Sequence, residues 1–243
     1  MIRYFNLFFF AVMIVMNYLA NALPINGRST GAISDSYPNL FTPAGLTFSI
    51  WGVIYLLLIV FCILQFTSPR HEIINEIGWL FSATCILNSL WILAWHYDRL
   101  PLSLAIMLLL LAGLIWININ IEDLHFGLIK AAFGIYVGWI CIATIANVTV
   151  LLVSRGWNDF SISDQTWTMI MIIAGALITI AAILRFKNPF IGLSVIWAFT
   201  GIMIKRQSDY RAIFITAAVA GTLVAVVLIL AFFRKRIPGF PVA

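Results

Sequence analysis

The sequence predicts an all-α protein, a polytopic bundle of transmembrane helices. Two observations carry this reading. Of 243 residues, 63% are hydrophobic and 9% charged, whereas a soluble domain carries about a quarter charged residues. Such a chain has too little polar surface to face water all round, in keeping with a mean hydropathy of +1.06. The apolar residues also gather into eight runs, at 4–22, 44–66, 74–96, 101–121, 127–153, 165–185, 189–205 and 212–233, each near the ~20 residues that a bilayer span requires. Backbone groups in lipid must be paired within their own segment, so each run is expected to be a helix.

The first run follows Arg3 and ends at Ala20-Asn21-Ala22, which imitates a signal peptide with its cleavage site. Its length suits a spanning helix, and it is read as a retained first span. Residues 23–42 are rich in Pro, Gly, Ser and Asn and form a long loop. Thr42 and Pro43 then open the second run, Thr42 as an expected helix cap and Pro43 as a first-turn residue with no donor to leave unpaired. Asp98 and Pro101 are expected to do the same before the fourth run. The polar stretch SRGWNDFSISD at 154–164 is the expected boundary between a five-helix core, residues 1–155, and a three-helix extension, residues 156–243.

With eight spans both termini share a side. That side collects Arg3, Arg70, Lys130, Arg185, Lys187, Arg234, Lys235 and Arg236, and the other collects Arg28, Arg99, Arg155, Lys205, Arg206 and Arg211. The excess of basic residues favours cytoplasmic termini, in a plasma or inner membrane. The net charge of +5 sits mostly between runs, which suits anionic lipid and leaves no basic stripe for nucleic acid.

Several chemistries are disfavoured. Cys62, Cys85 and Cys141 all lie inside apolar runs without a CxxC spacing, so neither disulfide nor metal site is indicated. His71, His96 and His125 fall at run ends, no Lys, Asp or Glu lies mid-span, and no nucleophile–base pair or phosphate loop is present. No catalytic residue, metal or cofactor is assigned.

What remains is a set of aromatic faces. Phe48, Trp51 and Tyr55 share a face of the second run. Asn88, Trp91 and Trp95 share one of the third, and Tyr136, Trp139, Ala143 and Asn147 one of the fifth. Taken singly, Trp and Tyr are common at membrane interfaces, where Trp79, Trp157 and Trp167 are placed, and a lone Asn commonly ties two helices. Together, indoles opposite amides describe an apolar pocket with a few orienting polar groups.

Three stretches resemble the translocator protein/tryptophan-rich sensory protein family (TspO/MBR, peripheral benzodiazepine receptor-like). They are Pro38-x4-Pro43-x7-Trp51-x3-Tyr55, Asn88-x2-Trp91-x3-Trp95 and Tyr136-x2-Trp139-x3-Ala143-x3-Asn147. Their order and spacing are similar to the family's over about residues 1–153. The resemblance implies a five-helix bundle that binds a tetrapyrrole such as protoporphyrin IX, with sterols or other lipids as further ligands and a homodimer left open. Together with the aromatic faces it makes Pro43, Phe48, Trp51, Tyr55, Asn88, Trp91, Trp95, Tyr136, Trp139, Ala143 and Asn147 the candidate ligand-binding residues, with Trp51 and Trp139 matching family pocket tryptophans and Asn88, Ala143 and Asn147 matching pocket-side or helix-contact positions. Arg28 and Pro38 would belong to a lid, Arg28 facing one ligand carboxylate and the helix start at Pro43 the other. It implies binding with a sensing, regulatory or ligand-handling role. Light-dependent porphyrin degradation and small-molecule transport are the alternatives. The chain departs from the family pattern at Thr42, Gly45 and Ile135, and no Tyr-plus-basic pattern follows Asn147, which lowers the support for sterol. Pro189-x7-Trp197 echoes Pro43-x7-Trp51 in the added part.

Overall fold

A computed structural model describes residues 1–23, 25–67, 71–125, 127–157 and 162–234. Arg70, Lys235 and Arg236 of the charge tally lie outside them, as do the side chains of His71 and Arg234. The helices are α1 (Ile2–Ala22), α2 (Thr30–Asp35), α3 (Ile50–Thr67), α4 (His71–His96), α5 (Leu100–Asn120), α6 (Leu128–Ser154), α7 (Asp164–Arg185), α8 (Phe190–Arg206) and α9 (Arg211–Arg234). Each of the eight apolar runs is helical. Seven helices among the described residues are long and apolar enough to cross a membrane. The remaining run, 189–205, is α8, which has 17 residues and a length of about 25 Å, at the lower limit for a span.

Helices α1, α4, α5, α6 and α3 pack in that order as a closed ring, with α1 returning to α3. The α1–α3 contact is the slightest of the five. Helices α7, α8 and α9 pack on one another, and α8, with a lesser contribution from α7, makes the contact with α6. Close approach of α6 and α8 depends on Gly138, where a Cβ would stand 2.3 Å from the Ile191 carbonyl oxygen and 2.4 Å from the Ser194 hydroxyl.

Amides, rather than carboxylates, fasten the ring. Asn6 of α1 donates to Gln65 of α3 at 2.8 Å and accepts from Ser82 of α4 at 2.6 Å. Asn118 of α5 donates to the Phe133 carbonyl of α6 at 3.1 Å and accepts from Asn188 at 2.9 Å. With no water in the bilayer core, each such group needs a protein partner. Lys130, 1% exposed, donates to the carbonyls of Glu122, Leu124 and Lys187 at 2.8, 3.2 and 2.8 Å. These bonds engage all three donors of a buried ammonium and join the α5–α6 and α7–α8 connections.

Two expected caps are replaced. Residues 45–49 form a tight 3-10 turn, Gly45–Ser49, before α3. Thr42 does not cap it; both its backbone N–H and its hydroxyl donate to the Asn39 side chain, at 2.9 and 3.0 Å. Asp98 does not cap α5 either. Arg99 occupies that position without a side-chain bond, and Asp98, at φ 52°, turns its carboxylate to Arg28 and to the Tyr37 hydroxyl. The loop outcompetes the helix end because it brings a full charge and a phenol.

Candidate functional site

The expected loop 23–42 contains a short helix. Ser29 starts α2 by accepting from the Ala32 N–H at 3.2 Å, a side-chain cap that satisfies an orphan donor. The segment lies over one end of the ring and is fastened there. The indole N–H of Trp95 donates to the Thr30 carbonyl at 3.2 Å, and Asn26 donates to the His96 carbonyl at 2.9 Å. Arg28 pairs with Asp98, and Lys205 of α8 pairs with Asp35 at 3.0 Å. Arg206 donates to the carbonyls of Asn39 and Leu40 at 2.8 and 3.1 Å. Burial first, then the Asp98 hydrogen bond, pushes the Tyr37 phenol above its ordinary range.

Beneath this lid lie two adjoining compartments. The larger, about 530 Å³, is lined by α1 (Asn17, Asn21), the lid (Ser29–Ala32, Asp35), the 3-10 turn (Gly45, Phe48), the start of α3 (Trp51, Tyr55) and Trp91 of α4. The smaller, about 50 Å³, continues between α3, α4 and α6, past Pro43, Trp95, Trp139, Ala143 and Asn147. Thr30, Phe48, Trp51 and Trp91 border both.

Trp51 is central. Its ring stacks on Tyr55 (centroids 5.6 Å apart, 21° between planes) and meets Tyr136 and Trp139 edge-on at 5.9 and 6.3 Å. Phe48 meets Trp139 edge-on at 6.0 Å, and Trp91 stacks on Trp95 at 5.9 Å. The rings form a box with room for a flat partner beside it, and offset or edge contacts add about 0.5–1.5 kcal/mol each to area burial. Below it, a hydrogen-bonded line crosses the ring, from Asn17 to Asn88 at 2.8 Å and from Asn88 to the Tyr136 hydroxyl at 3.1 Å. Phe61, Phe81 and Phe133 then pack edge-on at centroid distances of 4.9, 5.0 and 6.1 Å. Amides and phenyls together close the floor.

The expected site residues thus divide. Pro43, Phe48, Trp51, Tyr55, Trp91, Trp95, Trp139, Ala143 and Asn147 border the two compartments. Asn88 and Tyr136 border neither and hold the floor. Arg28 is engaged by Asp98, and Pro38 faces a separate polar cleft of about 440 Å³ with Lys205, Arg206 and Tyr210. The helix start beside Pro43 is also engaged, the Ala44 N–H donating to the Gly201 carbonyl of α8 at 3.0 Å. Asn17, Asn21 and the lid residues Ser29–Ala32 were not foreseen as lining. A signal for α1 was present, since Asn6 and Asn17 stand eleven residues, or three turns, apart on one face of an apolar helix.

A family model described as TSPO-like protein matches residues 3–231. The chain belongs to the TSPO-like protein family. The sequence resemblance reached residue 153; the TSPO-like match continues through α7 and α8 and into α9. No curated protein and no solved structure matches the chain. As a TSPO-like protein built of long apolar helices, it is an integral, multi-pass membrane protein.

Among the described residues of this TSPO-like protein, five buried side-chain polar atoms have no hydrogen-bond partner: Thr47 Oγ1, Tyr55 Oη, Gln65 Nε2, Trp91 Nε1 and Trp139 Nε1. Three of them, those of Tyr55, Trp91 and Trp139, belong to residues that border the compartments.

Proposed function

We propose that the protein binds a flat, largely apolar ligand of the tetrapyrrole type in the lidded compartments, and that it senses or hands on that ligand rather than converting it. The observation that carries this reading is the aromatic box around Trp51, which adjoins a cleft of about 530 Å³. A wide planar molecule gains most from such walls, because ring contacts and burial both scale with its face. The ring α1, α3–α6 supplies the walls and α2 the lid, while α7–α9 buttress the ring through α6. We further place both termini in the cytoplasm, on the distribution of basic residues.

The test is a titration of the purified full chain with protoporphyrin IX and, separately, with a sterol, following tryptophan fluorescence. Saturable quenching at micromolar porphyrin, with no comparable sterol response, is the expected result. A saturable sterol response without a porphyrin response would replace the tetrapyrrole by a lipid, and the absence of both would remove the binding reading.

A further inference from the structure

We infer that the ligand of this site is neutral at its polar points and carries hydrogen-bond acceptors there, such as ester, amide or ketone carbonyls, in preference to free carboxylates. This rests on the binding reading above and specifies the ligand class for the same cavity.

The first observation concerns what the walls offer. Trp91 and Trp139 are 6% and 3% exposed, border the compartments, and have indole N–H groups without a partner. An indole N–H only donates. The buried Tyr55 hydroxyl, also without a partner, adds a third donor. A buried unpaired donor is costly in an apolar setting, so a ligand acceptor that meets it gains more than an acceptor of the same type gains in water.

The second observation concerns charge. Among the described residues bordering the two compartments there is no Lys, Arg or His, and the single charged side chain is Asp35. The two features expected to face a carboxylate are engaged within the protein, Arg28 by Asp98 and, at the helix start, the Ala44 N–H by the Gly201 carbonyl. Lys205, the cation nearest to Asp35 in contact, is spent in pairing it at 3.0 Å. A carboxylate entering here would lose water without meeting a positive charge, which is unfavourable in a low-dielectric site. A carbonyl loses far less on desolvation and is served by a single neutral donor.

The experiment compares three porphyrins against the full-length protein in one detergent: protoporphyrin IX as the diacid, its dimethyl ester, and an alkyl-only porphyrin with no oxygen. Protein-free micelles of the same detergent serve as the reference for partitioning. The ester is expected to bind about tenfold tighter than the diacid after that correction, one decade being a modest share of a carboxylate's desolvation. Trp91→Phe and Trp139→Phe keep an aromatic wall and remove the unpaired donor. Each is expected to weaken the ester about five- to tenfold more than it weakens the alkyl porphyrin, the excess being the size of one net hydrogen bond and the alkyl porphyrin reporting the loss of ring area. A diacid that binds as tightly as the ester overturns the neutral-ligand inference while the binding reading stands. Phe variants that bind the ester with the parent's affinity overturn the role of the donors. If none of the three porphyrins binds, the tetrapyrrole reading itself fails.

Discussion

Trp197 on α8 donates its indole N–H to the carbonyl of Thr47 at 2.9 Å, at the turn that carries Phe48 and leads to Trp51. The Ala44 N–H, three residues earlier, donates to Gly201 on the same helix. Two bonds from α8 therefore fix the backbone on which the pocket's aromatic face is mounted. The indole adds a tertiary bond to a carbonyl that also accepts from the Ile50 N–H, and a glycine four residues on lets the chain come close enough for the second bond.

This clip makes α8 part of the site's support. A Cβ at Gly201 would stand 1.9 Å from the Thr47 hydroxyl and 3.0 Å from the Pro43 Cβ. Gly201→Ala is expected to destabilise the protein by about 1–3 kcal/mol, the usual cost of overpacking, and to weaken porphyrin binding. Trp197→Phe should cost less, about 0.5–1.5 kcal/mol for one net hydrogen bond, with the larger effect on binding. Thermal unfolding in detergent beside a fluorescence titration separates the two; an unchanged affinity in both variants would show that the α8 contact does not support the pocket.

The floor line gives a graded series. Asn88→Ala removes an acceptor from Asn17 and a donor from Tyr136, and is expected to cost about 1–3 kcal/mol because buried groups are left unpaired. Tyr136→Phe takes away only one acceptor and should cost about 1 kcal/mol or less, the range of single polar contacts between membrane helices. The double variant should fall short of the sum, since both substitutions remove the same bond. Full additivity in unfolding measurements would argue against the direct contact.

Within the box, Trp51→Leu and Trp139→Leu are expected to weaken porphyrin binding by roughly tenfold each, since each removes a ring contact of about 0.5–1.5 kcal/mol together with buried area. Trp167→Leu should leave binding as it is, because Trp167 packs against Trp157 at a centroid distance of 4.9 Å and borders neither compartment. Equal losses in all three variants would identify a general destabilisation instead.

Topology is open to a direct check. Four helices, α3 to α6, separate residues 35 and 157, so reporters fused at these points are expected on the same side of the membrane. A reporter before Met1 is expected on the other side, which we place as cytoplasmic. Reporters at 35 and 157 on opposite sides would require one of α3–α6 not to span.

The composition and the spacing of apolar runs determined a great deal. A chain so poor in charge has to put its helices in lipid, and lipid forces every backbone group in a run to pair locally, so eight runs could only become eight helices. The aromatic faces were equally legible, because residues three, four and seven apart share a helix face wherever that helix is placed. Phe48, Trp51 and Tyr55 needed no tertiary information to be grouped. Periodicity, however, is silent on which polar group on a face meets which partner. Asn88 and Trp91 lie three residues apart on α4, yet Asn88 is tied between Asn17 and Tyr136 while Trp91, a residue that borders the cavity, has its buried indole donor unpaired. Asp98 and Thr42 were read as caps from their neighbours in sequence, and Arg28 and the helix start at Pro43 as facing the carboxylates of a ligand. Their actual partners lie across the fold or, for Thr42, in the preceding loop. Hydrogen bonds in a dry bundle go to whichever partner packing brings within about 3 Å, and the order of helices around the ring, together with the seating of α8 on Gly138 and Gly201, decided which those were.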